Sequence, residues 1–237
     1  MCDIIHMLLI GGNMGRTKLE DRELSVYTKG EEIFNMVSHI VGGAFGLVAL
    51  VVGIVFSAIN GNGYGLASSI VFGISIILLY TMSSIYHGIK SDSIVKKVFQ
   101  ILDHCSIFVL IAGSYTPFAL CTIREYSPAF GWTLFGIMWG VAIVGITLNA
   151  IDLKMFKVFS IVCYLLMGWC AIFKIPVLIE GLTIPGFVLV LLGGILYTLG
   201  ACLYGAGKKR KWMHSLFHIC SDLGTVCHII CVLFFVV

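Results

Sequence analysis

Seven stretches of this sequence are apolar for about twenty residues or more, the length a helix needs to cross the hydrocarbon of a bilayer. They cover 33–59, 66–89, 98–122, 131–151, 158–179, 184–205 and 213–237. Of the 237 residues, 59% are hydrophobic and 11% charged, against about 25% charged in an average soluble domain. So few charges cannot cover a water-soluble core, so the solvent of these runs is lipid. Strands facing lipid would alternate apolar and polar residues. These runs are apolar on all faces, which selects helices. The predicted fold is an all-α integral membrane protein, a seven-transmembrane helix bundle in the cell membrane. Its 27 glycines against 4 prolines suit close helix packing.

The breaks between runs carry turn residues and charges: Asn60–Gly63, Ser91-Asp92 with Lys96-Lys97, Ser127-Pro128, Asp152 to Lys157, Gly181–Pro185 and Lys208–Lys211. Thirteen basic residues share one side: Arg16, Lys18, Arg22, Lys29, Lys90, Lys96, Lys97, Lys154, Lys157 and the four at 208–211. Arg124 stands alone on the other side, and Lys174 lies near the end of the fifth run, from which it can snorkel outward. By the positive-inside rule the N-terminus is cytoplasmic and the C-terminus outside. Residues 1–30 read as a short polar cytoplasmic leader and 31–237 as a single domain. Met1–Ile10 is too short for a cleavable signal peptide, and its apolar part precedes the charges. Met14 opens a more ordinary polar leader, so 1–13 reads as an upstream extension. The nine cysteines form no C-x-x-C pair, and all but Cys2 fall inside the apolar runs, which makes them small packing residues. A net charge of +3 is too small to point to nucleic acid.

Ionisable groups at membrane depth are costly, and each is a candidate functional residue by default. His214 and His218, four apart, share one helix face at the start of the seventh run. Ser83 and His87 have the same spacing at the end of the second. Glu32, Asn35 and His39 share a face at the start of the first, and Asp103 lies near the start of the third. Each has a plainer reading alone. A single histidine near a helix end can be an interfacial residue, Glu32 a solvated first-turn carboxylate, and Asp103 a cap or a partner of Lys96 or Lys97. The topology changes the odds, because all four stretches deliver these residues to the cytoplasmic leaflet, and the outer halves of the same runs hold nothing comparable.

Three neutral imidazoles with one open position make a catalytic-type zinc site. His214 and His218 supply two and His87 can supply the third. Asp103 can act as base for a water whose pKa zinc has lowered, and Ser83 can hydrogen-bond that water or a substrate carbonyl. His228 lies ten residues past His218, about 15 Å along a helix, too far to join them. His104 points away from Asp103, and His6 falls in the leader. Asp222 continues the His214–His218 face by one turn, either orienting a ligating imidazole or lining a pocket. Glu32, Asn35 and His39 read as a packing and hydrogen-bond network beside the site.

E-x-x-N-x-x-x-H (Glu32, Asn35, His39), S-x-x-x-H (Ser83, His87), the following Asp103 and H-x-x-x-H (His214, His218) together resemble the hemolysin III family. That family belongs with the progestin and adipoQ receptors, among them the adiponectin receptors. The similarity covers roughly residues 30–237, and four motifs in order, each at its span boundary, are highly specific. It implies a seven-helix bundle with its N-terminus inside. It also implies a zinc held by His87, His214 and His218, with Asp103 as the family's aspartate. Related receptors are similar in motif to alkaline ceramidases, which implies a lipid-amide hydrolase, whereas the family name implies pore formation or lysis. The long N-terminal domain of the eukaryotic receptors is absent, so the chain looks like a bacterial member.

Two functions follow as expectations. One is a zinc-dependent membrane hydrolase of a lipid amide or ester, with membrane lipid as its partner. The other is a non-enzymatic protein, a receptor-like sensor or lytic pore, in which Zn2+ is structural. No run carries a polar stripe along its full length, as a monomeric pore would need. Paired broken helices of the transporter kind are not evident.

Overall fold

The computed structural model describes residues 16–90, 93–206 and 210–237. The expectations for 1–13, Cys2, His6, the Ser91-Asp92 break, Lys208 and Lys209 lie outside the described residues. Among the described residues all regular structure is helical.

Helix α1 (Lys29–Ile59) begins at a capping box, in which Thr28 Oγ1 accepts from Glu31 N at 3.3 Å and Glu31 Oε2 accepts from Thr28 N at 2.9 Å. Its buried face runs Asn35, His39, Gly42, Gly46, Ala49, Gly53 and Ser57. Its outer face carries Val37, Ile40, Val41, Phe45 and Val48, all exposed. Small and polar residues inside with large apolar ones outside invert the soluble pattern, and they are what a lipid-facing helix shows. The small stripe lets α2 (Gly63–Gly88) approach closely, and a Cβ added at Gly73 would stand 2.7 Å from the Leu50 Cα.

Helix α3 (Ile94–Pro117), capped by Ser93, is the central element, with Phe108, Leu110 and Ala112 buried. It packs between α2 and α4 (Pro128–Ile151). Pro117 lacks the N–H a helix needs, and from there the chain continues as a π-helical segment, Phe118–Ile123, and a last turn, Arg124–Tyr126. Helix α5 (Lys157–Trp169) passes through a 3-10 stretch, Cys170–Lys174, into α6 (Ile175–Ala206), which runs along α7 (Met213–Phe235). Helix α7 packs in turn on α1.

Six helical stretches are long and apolar enough to cross a membrane, and the fifth, Lys157–Gly205, has 49 residues. At 1.5 Å per residue that is about 74 Å, more than twice a hydrocarbon core. It is broken at Thr183, whose φ of 60° and ψ of 172° lie outside the helical region, just before Pro185. The break falls within the Gly181–Pro185 punctuation read from the sequence. The 3-10 stretch at 170–174 and the π-helical segment of α3 were not anticipated there.

The charges collect at two ends. Arg22 Nη2 and Arg16 Nε donate to Ile151 O at 2.9 and 3.1 Å, and Thr17 N donates to Asp152 Oδ2 at 2.8 Å. These bonds strap the segment before α1 onto the α4–α5 connection. Burial pushes the Asp152 carboxyl up, but its bonds from Thr17, Met155 and Lys154 outweigh this and hold it below the usual range. At the other end Arg124 lies over the Tyr64 ring at 3.7 Å and Lys174 over Phe130 at 4.7 Å.

Candidate metal centre

Four helix ends meet where the strap crosses the bundle. Helix α2 brings His87 in its last turn, α7 brings His214 and His218 in its first turns, α1 brings Glu32, and α3 brings Lys96 and Asp103. The entry of α7 is fixed by Trp212, which has a φ of 66° and whose N–H donates to Glu31 Oε1 at 2.6 Å. Glu31 thereby caps α1 and sets the start of the helix that carries the two histidines.

The three imidazoles turn their nitrogens together. His214 Nε2 stands 3.4 Å from His87 Nε2 and 3.1 Å from His218 Nε2, and one ligand atom from each lies within 4.8 Å of the others. Ligands 2.0–2.1 Å from a tetrahedral zinc stand about 3.3 Å apart, so the nitrogens have the spacing of a coordination edge. The ring planes cross, by 71° between His87 and His218 and by 64° between His214 and His218, so their lone pairs converge. The tautomer of His87 is settled by its other nitrogen. Glu32 Oε2 stands 2.6 Å from Nδ1, and a carboxylate accepts, so Nδ1 donates and Nε2 is the nitrogen turned to the other two rings. The three residues could hold a metal ion, and an all-imidazole donor set suits zinc better than a hard cation.

A cavity of about 500 Å³ opens at this centre. His214, His218, Ser83 and Asp103 line the part of it nearest the histidines, and the Asp103 carboxyl is hydrogen-bonded by Ser83. Leu110, Ile111, Phe118, Leu178 and Val190 line its inner part, with Ser114, Tyr115, Tyr197 and His228 among them. From Asp103 to Phe118 the α3 wall is roughly 22 Å long.

The remaining sequence candidates sit apart from the three nitrogens. His39 lies flat against His218, with centroids 3.7 Å apart and planes at 12°, and its nitrogens make no hydrogen bond among the described residues. Asp222 Oδ1 is 3.9 Å from His39 Nε2 rather than on a triad histidine. Asn35 is fully buried, with neither side-chain atom hydrogen-bonded among the described residues. His104 donates from Nδ1 to Gln100 O at 2.9 Å, and His228 stands at the deep end of the cavity, 3.3 Å from Val190 O.

Two residues were missed by sequence reasoning. Lys96, read as a loop charge, is buried, and its Nζ donates to Glu32 Oε1 at 2.6 Å. Its place in the first turn of α3, where a cation opposes the helix dipole, was the available signal. Tyr27, just before α1, stacks on His214 at 4.8 Å and 21°. Burial holds its phenol above the usual tyrosine range, so it faces the histidines as a neutral group.

Apolar helices around a buried tri-histidine cluster define the class, a multi-pass helical membrane protein with a candidate metal centre at one end of its bundle. Residues 27–229 match the family described as Haemolysin-III related. The chain is 39% identical over 206 residues to Hemolysin-3 of Bacillus cereus, covering 87% of this chain and 92% of that protein. It is 37% identical over 212 residues to the Hemolysin-3 homolog of Bacillus subtilis (strain 168), covering 90% and 97%. The chain belongs to the haemolysin-III-related family, as a multi-pass protein of the bacterial plasma membrane.

Proposed function

We propose that this protein is a zinc-dependent hydrolase of a lipid amide or ester, working at the cytoplasmic leaflet. The observation that carries the reading is the convergence of three imidazole nitrogens beside a cavity lined for the most part by apolar side chains. Zinc held by His87, His214 and His218 would polarise a carbonyl and acidify a water. Asp103 takes the proton of the attacking water and returns it to the leaving amine or alcohol. Ser83 donates a hydrogen bond to the carbonyl oxygen, and the side chains of Leu110, Ile111 and Phe118 hold the acyl chain.

The topology belongs to the same proposal. The 49-residue stretch crosses twice, turning at Thr183, which makes seven crossings with the N-terminus inside. A reporter fused after Val237 should lie outside the cytoplasm and one inserted at 208–211 inside; the reverse would remove the site from the cytoplasmic leaflet.

The name Hemolysin-3 of the Bacillus cereus relative supplies a second reading, lysis, in which zinc would only staple α2 to α7. Purified protein assayed against lipid amides and esters, with and without chelator, tests the two. Chelator-sensitive hydrolysis supports the enzyme, and vesicle leakage without hydrolysis supports lysis.

A further inference from the structure

Lysine is rarely buried unless paired, and Lys96 is 1% exposed at a helix end whose dipole disfavours it. Its Nζ donates to Glu32 Oε1 at 2.6 Å and to Ile89 O at 3.1 Å, and lies 5.1 Å from the Tyr86 ring centroid. Ile89 caps α2 just beyond His87. The ammonium therefore joins the start of α1, the end of α2 and the start of α3. Glu32 is held on both sides, one oxygen by Lys96 and the other by His87 Nδ1 at 2.6 Å.

Burying an ion pair rarely adds net stability over an apolar pair of similar size. If these two residues served only to hold three helices together, apolar side chains would do as well. What an apolar pair could not do is fix the carboxylate in one place and aim one oxygen at a ring nitrogen.

We propose that Lys96 is a positioning residue of the metal centre: by holding one oxygen of Glu32 it directs the other to His87 Nδ1, and so turns His87 Nε2 towards His214 and His218. This rests on the metal reading above. The carboxylate keeps the Nδ1–H tautomer of His87, and the ammonium keeps the carboxylate from swinging out to the partly exposed side of Glu32. Lys96 touches neither metal nor substrate and acts through Glu32.

The test is zinc affinity in the purified full-length chain, measured by competition with a chromophoric chelator. The double variant Lys96→Met with Glu32→Gln removes both charges at nearly constant volume and leaves no unpaired buried ion. Its zinc affinity should fall about 10–100-fold, the range seen when partners of metal-ligating histidines are lost. Its cobalt-substituted form should show an altered visible spectrum, while the metal-free proteins should melt within a few degrees of each other. Should the double variant not accumulate, Lys96→Gln, which keeps one donor to Glu32, should show a smaller loss in the same direction. A double variant with wild-type affinity and an unchanged cobalt spectrum would overturn the role of Lys96, as would lowered metal-free stability alone. Wild-type protein that takes up no zinc would instead overturn the metal reading beneath it.

Discussion

His39 and His87 are both 3% exposed, both sit on helices at the same end of the bundle, and both make ring contact with His218. Geometry makes only His87 of the two a candidate ligand. Its ring crosses that of His218 at 71°, and its far nitrogen is committed to Glu32. His39 lies parallel to His218, so their lone pairs run in neighbouring planes and do not meet on one ion. Burial and residue type are the same in both. Ring angle and the partner on the opposite nitrogen decide which histidine can bind.

The comparison breaks most sharply on zinc content. Purified protein should carry about one zinc, His218→Ala should lose most of it because a direct ligand is gone, and His39→Ala should keep most of it. Metal analysis of the three proteins reads this, and equal losses would make the two histidines equivalent. Next comes the difference between holding the metal and using it. Asp103→Asn keeps the size of the side chain but cannot take a proton, so turnover should fall about 10²–10⁴-fold with zinc retained. The smallest effect is a control on packing. Gly73→Ala, with its Cβ 2.7 Å from the Leu50 backbone, should lower stability by about 1–3 kcal/mol while zinc affinity of the folded protein stays unchanged. A thermal melt beside a zinc titration separates the two.

Much of this was legible in the chain. The apolar runs gave the helices, and i, i+4 spacing put Ser83 with His87 and His214 with His218 on common faces. The delivery of four polar stretches to one end rested on topology, and the contacts place them there. The rotation of one helix against another was not legible, because periodicity fixes a face only within its own helix. Glu32, Asn35 and His39 therefore read as one network, although of their side chains Glu32 alone hydrogen-bonds a triad histidine and His39 only stacks on one. Asp222 kept two readings, and its neighbours are His39 and Tyr80 rather than a triad histidine. Lys96 was hidden for a different reason. A basic residue at a helix end reads as a topology signal, and its burial depends on the arrival of Glu32 from 64 residues away. The π-helical segment after Pro117 and the 3-10 stretch at 170–174 keep the apolar composition of their neighbours, so hydropathy does not mark them.

The central claim is that His87, His214 and His218 together hold one zinc through imidazole nitrogen. X-ray absorption at the zinc edge of the purified full-length protein tests it most directly. About four nitrogen or oxygen neighbours at roughly 2.0–2.1 Å are expected, with outer-shell scattering from three imidazoles, and one fewer imidazole in His214→Ala. A sulfur shell near about 2.3 Å, or full zinc occupancy with an unchanged spectrum in His214→Ala, would contradict it.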